Sequence, residues 1–276
     1  MYKILCKREL CSNVNEYVID APMVAKNAKP GQFIILRTDA EGERVPFTIC
    51  DINKVLGTIT ILVQTIGATT AKLATMGAGD SLHDFVGPLG NATDLLEHNK
   101  VLLVAGGIGN AVIYPQAKFL AQSGKMPTVI VGARTKELVI YSSEITPFCD
   151  KLHIMTDDGS FGEQGFVTNK LKELLDDKSN GYDAVMAVGP LMMMKAVCDL
   201  TRGYNIPTVV SMNSIMVDGT GMCGGCRVTV GGETKYACVD GPEFDGHLID
   251  FDEARLRGAF YREQEADHMC KIRGGK

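Results

Sequence analysis

Short apolar runs alternate with turn residues through the first third of the chain. The turns contain glycine and proline, for example at Lys29–Gly31 and Gly77–Asp80. Short runs of this kind predict β-strands, and their close spacing predicts a small antiparallel β-barrel. The predicted strands are YKILC, EYVIDA, QFIILRT, PFTICDI, TITILVQTI and HDFVGPLG.

The pattern changes at Lys100. The run VLLVAGG is apolar throughout, as expected for a parallel strand that is buried on both faces. Strand-like and helix-like segments then alternate as far as residue 210, which predicts a doubly wound parallel sheet. The predicted strands are VLLVAGG, PTVIVGA, KLHIMTDD, YDAVMAVG and IPTVVSM. The predicted helices are AVIYPQAKFLAQSG, KELVIYSSEI, GFVTNKLKELLDD and LMMMKAVCDLTRGY.

From residue 211 the chain is rich in glycine and cysteine and has no long periodic element, and a polar tail follows. Domains usually span ~100–200 residues, so the length of 276 residues suits two domains and a small appendage. We therefore predict a multidomain β plus α/β protein. Its units are a barrel at 1–97, a nucleotide-binding α/β domain at 98–210 and a small module with a tail at 211–276.

Composition and charge narrow the class of protein. The formal net charge is −5 and no long basic run occurs, so nothing favours binding to nucleic acid or to an anionic membrane. No apolar run approaches the ~20 residues that cross a bilayer. The N-terminus mixes charges with its apolar residues, unlike a signal peptide. We predict a cytoplasmic protein.

The chain has nine cysteines, an odd number that suits a reducing compartment. Cys223, Cys226 and Cys238 lie close together in the sequence. The others are scattered, and we expect most of them to be small buried hydrophobic residues. The scattered cysteines are Cys6, Cys11, Cys50, Cys149, Cys198 and Cys270.

The strongest motif is Asp218-x4-Cys223-x2-Cys226-x11-Cys238. A C-x4-C-x2-C…C spacing is the plant-type arrangement for a [2Fe–2S] cluster, and Asp218 stands at the first ligand position. The glycines of this stretch leave room for the backbone to wrap a cluster and to direct N–H groups at its sulfurs. A carboxylate is a harder donor than a thiolate, so it would shift the reduction potential. The spacing predicts an iron–sulfur cluster.

Other interpretations of these cysteines stay open. Cys223 and Cys226 form a CxxC pair, although this pair does not open a helix as in thioredoxin-like proteins. All three cysteines could be chemically inert, and Cys198 or Cys270 could replace the aspartate as fourth cluster ligand. A zinc site would combine the three cysteines with one further side chain, namely Asp218, His247 or His268.

A glycine-rich turn follows the first strand of the α/β domain and opens a helix. Glycines let the backbone approach a pyrophosphate, and a helix N-terminus favours its negative charge. The turn is not a strict G-x-G-x-x-G, so an ordinary glycine turn is the alternative. Two further loops stand at the C-terminal ends of strands, where ligands of open α/β sheets bind. The expected nucleotide contacts are Gly106, Gly107, Ile108, Gly109, Gly132, Arg134, Gly189, Pro190 and Met193.

Two acidic residues, Asp157 and Asp158, close the third strand of the α/β domain. An acid there can accept a hydrogen bond from a ribose hydroxyl and would repel a 2′-phosphate. The pair therefore favours NAD(H) over NADP(H), whereas the alternative is a turn or cap carboxylate. The run Met192–Met194 is more typical of core packing than of a cofactor site.

Two segments of the barrel also bear on ligand binding. Arg44–Thr48 contains a Pro-Phe-Thr sequence that is equally typical of the start of a strand. Gly67–Thr70 is typical of a turn and helix cap, and such a turn can also hold a phosphate. Each segment alone is weak support for a ligand site.

Taken together, these residues resemble the ferredoxin–NADP reductase superfamily along the whole chain. That superfamily joins a flavin-binding barrel to a nicotinamide-binding α/β domain. The order of the three units resembles the branch that contains dihydroorotate dehydrogenase electron-transfer subunits. The stretch MVDGTGMCGGCRVTVGGETKYACVDGPEFDGH resembles the small-subunit family of NADH-dependent reduced ferredoxin:NADP oxidoreductase, which includes sulfide dehydrogenase subunits. This resemblance implies a [2Fe–2S] cluster on Asp218, Cys223, Cys226 and Cys238.

The resemblance also implies FAD in the barrel. The superfamily flavin motif is R-x-x-S/T, and here Thr48 matches whereas Arg44 is one position out of register. The residues here resemble the form R-x-P-apolar-T of the narrower family. This resemblance implies that Arg44 contacts the flavin phosphate. Phe47 and Thr48 would lie near the isoalloxazine ring. The implied flavin contacts are Arg44, Pro46, Phe47, Thr48, Gln64, Gly67, Ala68, Thr69 and Thr70.

The implied activity is that of an oxidoreductase which passes electrons between NAD(H), FAD and the cluster. Val188 replaces the cysteine of the superfamily motif C-G-P-x-x-M, so no thiol role in hydride transfer is supported. The implied partner in a heterodimer is a larger flavoprotein with [4Fe–4S] clusters, which would reach ferredoxin and perform electron bifurcation. The alternatives are an NADH-oxidising subunit of dihydroorotate dehydrogenase or of a sulfide dehydrogenase or sulfur reductase, and a zinc-stabilised nucleotide-binding module without redox turnover.

Overall fold

The structure is a computed structural model, and it describes residues 1–261 of the chain. His268 and Cys270, which were alternative metal ligands, lie outside the described residues. Within residues 1–261 the helices are too short or too polar to serve as membrane spans.

The N-terminal part of the chain folds into two antiparallel sheets that pack face to face. One sheet has the strand order β5-β6-β2-β1-β7 and the other β4-β3-β8. Apolar side chains of both sheets, including Tyr17, Ile34 and Phe85, are buried between them. The predicted antiparallel barrel is thereby confirmed. Its elements are β1 Tyr2–Cys11, β2 Val14–Asp20, α1 Pro22–Asn27, β3 Phe33–Arg37, β4 Val45–Thr48, β5 Asp51–Asn53, β6 Thr58–Gln64, α2 Ala68–Thr75, β7 Ser81–Leu82 and β8 Asp84–Leu89.

The run PFTICDI, predicted as one strand, is divided between β4 and β5. The Ile49 N–H donates to the carbonyl of Gln32 (3.0 Å), and the Cys50 N–H donates to the carbonyl of Thr60 (2.9 Å). The chain therefore leaves one sheet and enters the other at these two residues. This corner closes the barrel and leaves β4 half-buried along its length.

The middle of the chain forms a parallel sheet with the strand order β12-β11-β10-β9-β13-β14. Helix α3 packs on one face of this sheet, and helices α5 and α6 pack on the other. This is the predicted doubly wound arrangement. Its strands and helices are β9 Val101–Gly106, α3 Asn110–Gln122, β10 Thr128–Ala133, α4 Ser142–Ile145, β11 Lys151–Thr156, β12 Glu163–Gln164, α5 Val167–Asp176, β13 Ala184–Val188, α6 Leu191–Arg202 and β14 Thr208–Ser211. Single 3-10 turns occur at Gly107–Gly109, Lys136–Leu138, Thr146–Phe148 and Lys178–Asn180.

The predicted helix KELVIYSSEI is wrong. Only a 3-10 turn and the four-residue helix α4 form there. Tyr141 between them has a φ of 61°, which interrupts a right-handed helix. The carbonyl of Ile140 accepts a hydrogen bond from the Asn110 side chain (3.0 Å), so a tertiary contact uses the group that a helix would need.

The C-terminal part adds a hairpin, one further strand and a short helix. These are β15 Arg227–Val230, β16 Glu233–Tyr236, β17 Glu243–Asp245 and α7 Phe251–Arg257. Strand β17 pairs antiparallel with β14 and so extends the parallel sheet at its edge. The sheet therefore crosses the predicted boundary at residue 210. The division into 1–97, 98–210 and 211–276 stays a proposal.

Candidate nucleotide, flavin and cluster sites

The parallel sheet has its topological switch point between β9 and β13. From β9 the chain continues through β10 to the β12 edge, and it then returns to place β13 on the other side of β9. Open α/β sheets bind ligands in the crevice at such a point. Here the turn Gly106–Gly109 and the loop Gly189–Met193 meet, because backbone atoms of Gly106 lie 3.0 Å from where a Cβ on Gly189 would be. The structure thus brings the predicted nucleotide loops together.

Close backbone approach explains the glycines of this crevice. A Cβ on Gly109 would lie 2.1 Å from the carbonyl oxygen of Val188. A Cβ on Gly106 would lie 2.4 Å from the sulfur of Met193, which covers this turn. Met194 is buried in the core, whereas Met192 is exposed, so the methionine run is only partly core packing.

Residues at the ends of β10 and β11 line the same edge of the sheet. The Asp158 N–H donates to the carbonyl of Arg134 (3.3 Å), which places two predicted nucleotide contacts next to each other. The Asp158 carboxylate accepts from the hydroxyl (2.6 Å) and the N–H (3.0 Å) of Ser160, and these bonds lower the pKa of Asp158. Asp158 therefore closes a turn, and the roles of Asp157 and Asp158 as ribose acceptors stay a prediction. Gly132, the remaining predicted contact here, belongs to β10 and lies against Val167.

Replacing Gly109 with alanine should weaken the nucleotide site without unfolding the barrel. The new methyl group would have to displace the Val188 carbonyl, which opens the crevice by about an ångström. Misplacement on that scale can lower the rate of a positioned reaction about 100-fold. The measurement is the rate of flavin reduction by NADH in stopped flow.

The control for this experiment is Gly77→Ala, because a Cβ at Gly77 would meet no atom within 4 Å. Equal rates in Gly109→Ala and Gly77→Ala would show that the crevice does not position the nicotinamide.

The predicted pyrophosphate turn of the barrel forms a capped helix start. Gly67 precedes α2, and the hydroxyl of Thr70 accepts from the N–H groups of Ile66 (2.9 Å) and Gly67 (3.0 Å). The hydroxyl of Thr69 donates to the carboxylate of Glu43 (3.3 Å). The N-terminus of α2 is therefore capped and already contacts a carboxylate. This is expected for the positive end of a helix, which can bind an anion.

Arg44 lies just before β4, and its guanidinium is bonded to the C-terminal module. Its Nε donates to the carbonyl of Val217 (2.8 Å), and its Nη2 donates to the carbonyl of Asp218 (3.2 Å). The residue predicted to contact the flavin phosphate thus contacts the loop that carries the predicted cluster ligands. Pro46, Phe47 and Thr48 follow in β4, and Gln64 ends β6.

Two of the three clustered cysteines meet in the C-terminal module. The sulfur atoms of Cys226 and Cys238 are 3.2 Å apart, and both residues are buried. Burial and the neighbouring Cys226 raise the pKa of Cys238 to about 11. Cys223 is exposed, and its sulfur receives the N–H of Gly225 (3.5 Å). The N–H groups of Gly225, Asp218 and Val217 lower the pKa of Cys223.

The carboxylate of Asp218 turns toward its own loop. It accepts hydrogen bonds from the hydroxyl and N–H of Thr220 and from the N–H of Met222 (3.4 Å). These bonds, chiefly that of the Thr220 hydroxyl, lower the pKa of Asp218 and keep it ionised. Within residues 1–261 no group of three or more His, Cys, Asp or Glu side chains is arranged to hold one metal ion.

The donor set nevertheless fits an iron–sulfur cluster. A zinc ion needs four donors at ~2.0–2.3 Å from one point, whereas a two-iron cluster distributes its ligands over two irons. The adjacent thiols of Cys226 and Cys238, and the N–H groups directed at the separate sulfur of Cys223, suit the second requirement. The assignment of Asp218, Cys223, Cys226 and Cys238 as the ligands stays a prediction.

The described alternative ligands lie elsewhere. His247 Nε2 is hydrogen-bonded to the Thr201 hydroxyl (3.0 Å), and the sulfur of Cys198 is packed against Gly246. Among the scattered cysteines within residues 1–261, most are buried or half-buried as predicted, whereas Cys6 is exposed. A β-bulge between Ile4 and Cys6 shifts the register of β1, so Cys6 does not face the core as the alternation would require.

Several other proteins are similar to this chain in sequence. Residues 213–250 match the family of iron–sulfur cluster binding domains of dihydroorotate dehydrogenase B. An uncharacterized protein from the adh 3′ region of Clostridium beijerinckii is 47% identical over 282 residues, covering 100% of this chain and 95% of that protein. A homologue of the dihydroorotate dehydrogenase B (NAD(+)) electron transfer subunit, from Thermotoga maritima, is 44% identical over 263 residues, covering 95% of this chain and 92% of the relative. The chain belongs to this family of electron-transfer subunits.

A solved structure supports the same assignment for this electron-transfer subunit. It is that of NADH-dependent reduced ferredoxin-NADP oxidoreductase, studied for flavin-based electron bifurcation. It aligns with a TM-score of 0.92 and 42% identity, covering 99% of this chain and 98% of that chain. The predicted fold and the predicted resemblance are both confirmed.

The sequence did not reveal one buried polar group of the electron-transfer subunit. The carboxyl of Glu243, on β17, is buried, and burial raises its pKa to about 7. It accepts a hydrogen bond from the hydroxyl of Thr93, which in turn accepts from Nε2 of Gln116 (2.6 Å) on α3. The Oε1 atoms of Glu243 and Gln116 have no hydrogen-bond partner among the described residues. A single glutamate beside Gly-Pro gives no signal of burial, so only the tertiary structure identifies this network.

Proposed function

We propose that this protein is the small subunit of an electron-bifurcating NADH-dependent ferredoxin:NADP oxidoreductase. It passes electrons between NAD(H), FAD and a [2Fe–2S] cluster. The observation that carries the proposal is the contact between Arg44, at the start of the predicted flavin strand, and the loop of the predicted cluster. Family membership and the match of residues 213–250 support the same conclusion.

The cluster loop is held directly against the barrel. Gly219 lies on Ile35 of β3 and Leu89 of β8, because a Cβ there would come within 2.6 Å and 2.9 Å of their side chains. On the other side of the module, the N–H of Asn91 donates to the carbonyl of Gly241 (2.7 Å). A short path between flavin and cluster follows from this packing, and electron transfer needs such proximity.

Each part of the chain has one task in this proposal. The crevice at Gly106–Gly109 and Gly189–Met193 binds and orients NAD(H). The half-buried strand β4 and the N-terminus of α2 hold FAD. A flavin exchanges two electrons with a nicotinamide and single electrons with an iron–sulfur cluster. The N–H groups around Cys223 stabilise negative charge on its sulfur.

The partner is proposed to cover the rim of the cluster loop. Exposed apolar side chains occur on the segments that carry the predicted ligands, and one of them, Met222 beside the exposed Cys223, is 85% exposed. Such a patch next to an exposed metal ligand suits a protein interface. The proposed partner is a larger flavoprotein with [4Fe–4S] clusters, which forms the heterodimer in the cytoplasm and contacts ferredoxin. The other rim residues are Ile215, Val217 and Val239.

A second candidate is the NADH-oxidising subunit of a dihydroorotate dehydrogenase. The names of the family match and of the Thermotoga maritima relative favour it. Asp218 argues against it, because by resemblance that subunit has cysteine at the first ligand position. Identification of the protein that co-purifies with the chain distinguishes the two candidates.

The test is the visible spectrum of the anaerobically purified protein before and after NADH is added. Flavin bands and broad iron–sulfur absorption, both bleached by NADH, are expected. A protein that stays colourless after reconstitution with FAD, iron and sulfide would contradict the proposal and favour a zinc-stabilised module.

Asp218→Cys tests the fourth ligand. If Asp218 ligates iron, the variant should keep a cluster, because thiolate is the usual ligand. Its reduction potential and EPR signal should change, since a softer donor replaces a carboxylate. Unchanged spectra would remove Asp218 from the ligand set, and Thr220→Val serves as a control that loses only the hydroxyl bound to the carboxylate.

A further inference from the structure

The side chain of Arg44 connects the barrel to the cluster loop across more than 170 positions of sequence. Both of its hydrogen-bond acceptors in that loop are backbone carbonyls, at 2.8 and 3.2 Å. The guanidinium is held by neutral carbonyls, and its positive charge also acts on the nearby Asp218 carboxylate. An arginine has five N–H donors in a planar fork, and these two bonds use Nε and one Nη2 proton.

The position of Arg44 in sequence is as important as its contacts. It directly precedes β4, whose residues Pro46–Thr48 are the predicted flavin contacts. Its acceptors, the carbonyls of Val217 and Asp218, belong to the predicted ligand Asp218 and the residue before it. Arg44 therefore links the strand of the predicted flavin contacts to the loop of the predicted cluster. Gly219 and Asn91 also hold the C-terminal module on the barrel, but they do so without charge.

We propose that Arg44 is a positioning residue for the iron–sulfur cluster, and that it couples the cluster to the flavin site. Its two hydrogen bonds fix the backbone at Asp218, so they set where this carboxylate stands relative to the three cysteines. Its positive charge favours the reduced cluster, which carries one more negative charge than the oxidised form. This inference rests on the proposed function and adds a positioning residue to the same site.

The experiment compares cluster properties in Arg44→Ala, Arg44→Lys and the wild type. The readouts are the midpoint potential of the cluster, its visible circular dichroism and its rate of loss to an iron chelator. In Arg44→Ala the potential should become more negative, and the cluster should be lost at least roughly tenfold faster, as expected when two hydrogen bonds from a charged donor are removed. In Arg44→Lys the potential should recover, because the charge is kept. Its chelator sensitivity should not recover, because lysine lacks the fork.

Arg37→Ala is the matched control. Arg37 is another barrel arginine, and its side chain is bonded to Asp84 and to the carbonyl of Ala40 rather than to the cluster loop. Cluster properties of Arg44→Ala that equal those of Arg37→Ala would overturn the inference. So would an Arg44→Ala protein that loses only FAD. If Arg44→Ala does not fold, Arg44→Lys against the wild type still decides the outcome through the chelator rate.

Different results would contradict the proposed function and the role of Arg44. A wild-type protein without an iron–sulfur spectrum contradicts the proposed function itself. A wild-type protein with a normal cluster, whose potential and chelator rate are insensitive to Arg44, contradicts only the role of Arg44.

Discussion

Cys226→Ser is expected to abolish the iron–sulfur absorption of the electron-transfer subunit. Cys226 is buried, and its sulfur touches that of Cys238, so it stands at the centre of the predicted ligand set. A serine hydroxyl is a much poorer iron ligand than a thiolate. Iron and sulfide content should fall to background, and transfer to one-electron acceptors should be lost with them. Flavin reduction by NADH should persist, because the nucleotide crevice and the barrel do not use this residue.

Cys198→Ser is the matched control for that loss. Cys198 is equally buried in the same core, where burial raises its pKa to about 12, but its sulfur lies against Gly246. Both variants place a hydroxyl in an apolar site, so they share the destabilisation that this causes. Full iron content in Cys226→Ser, or equal loss in both variants, would contradict the assignment of Cys226 as a ligand.

Glu243→Gln is expected to stabilise the protein at neutral and alkaline pH. The pKa of Glu243 is about 7 in the folded protein, against an ordinary value of 4.5. The folded state therefore holds this proton more tightly than the unfolded state does. The wild type loses free energy of unfolding as pH rises from about 4.5 to about 7. At ~1.4 kcal/mol for each unit of pKa, the loss amounts to about 3 kcal/mol.

Denaturation of the holoprotein at several pH values checks this expectation. Glu243→Gln should exceed the wild type in stability at pH 8, and the difference should vanish near pH 4.5. Glu233→Gln removes the same charge from an exposed position of the same module, where Lys235 pairs with the glutamate. It should gain no stability at pH 8. A constant difference between Glu243→Gln and the wild type at all pH values would show that the carboxyl is not the titrating group.

Strand periodicity and chain order were sufficient to predict the two large folding units. Strand β2 alternates over most of its length because one of its faces is buried, and β9 and β13 are apolar throughout because both of their faces are covered. The predictions of a helix and of a buried cysteine were wrong where tertiary contacts override the local sequence pattern. Tyr141 adopts a left-handed conformation within an apparent helix, and the bulge in β1 exposes Cys6.

The sequence by itself determined the cysteine spacing, the glycine turns and the order of the units, because these depend on residues that are near one another in the chain. It could not determine which distant groups meet. Only the tertiary structure paired β17 with β14, buried the Glu243 carboxyl against Thr93, and placed Arg44 on the carbonyls of Val217 and Asp218. Such contacts leave no local signature, since a single polar residue has the same appearance in a sequence whether it is solvated or buried. Their energies arise from burial and hydrogen bonding, which exist only once the units have packed together.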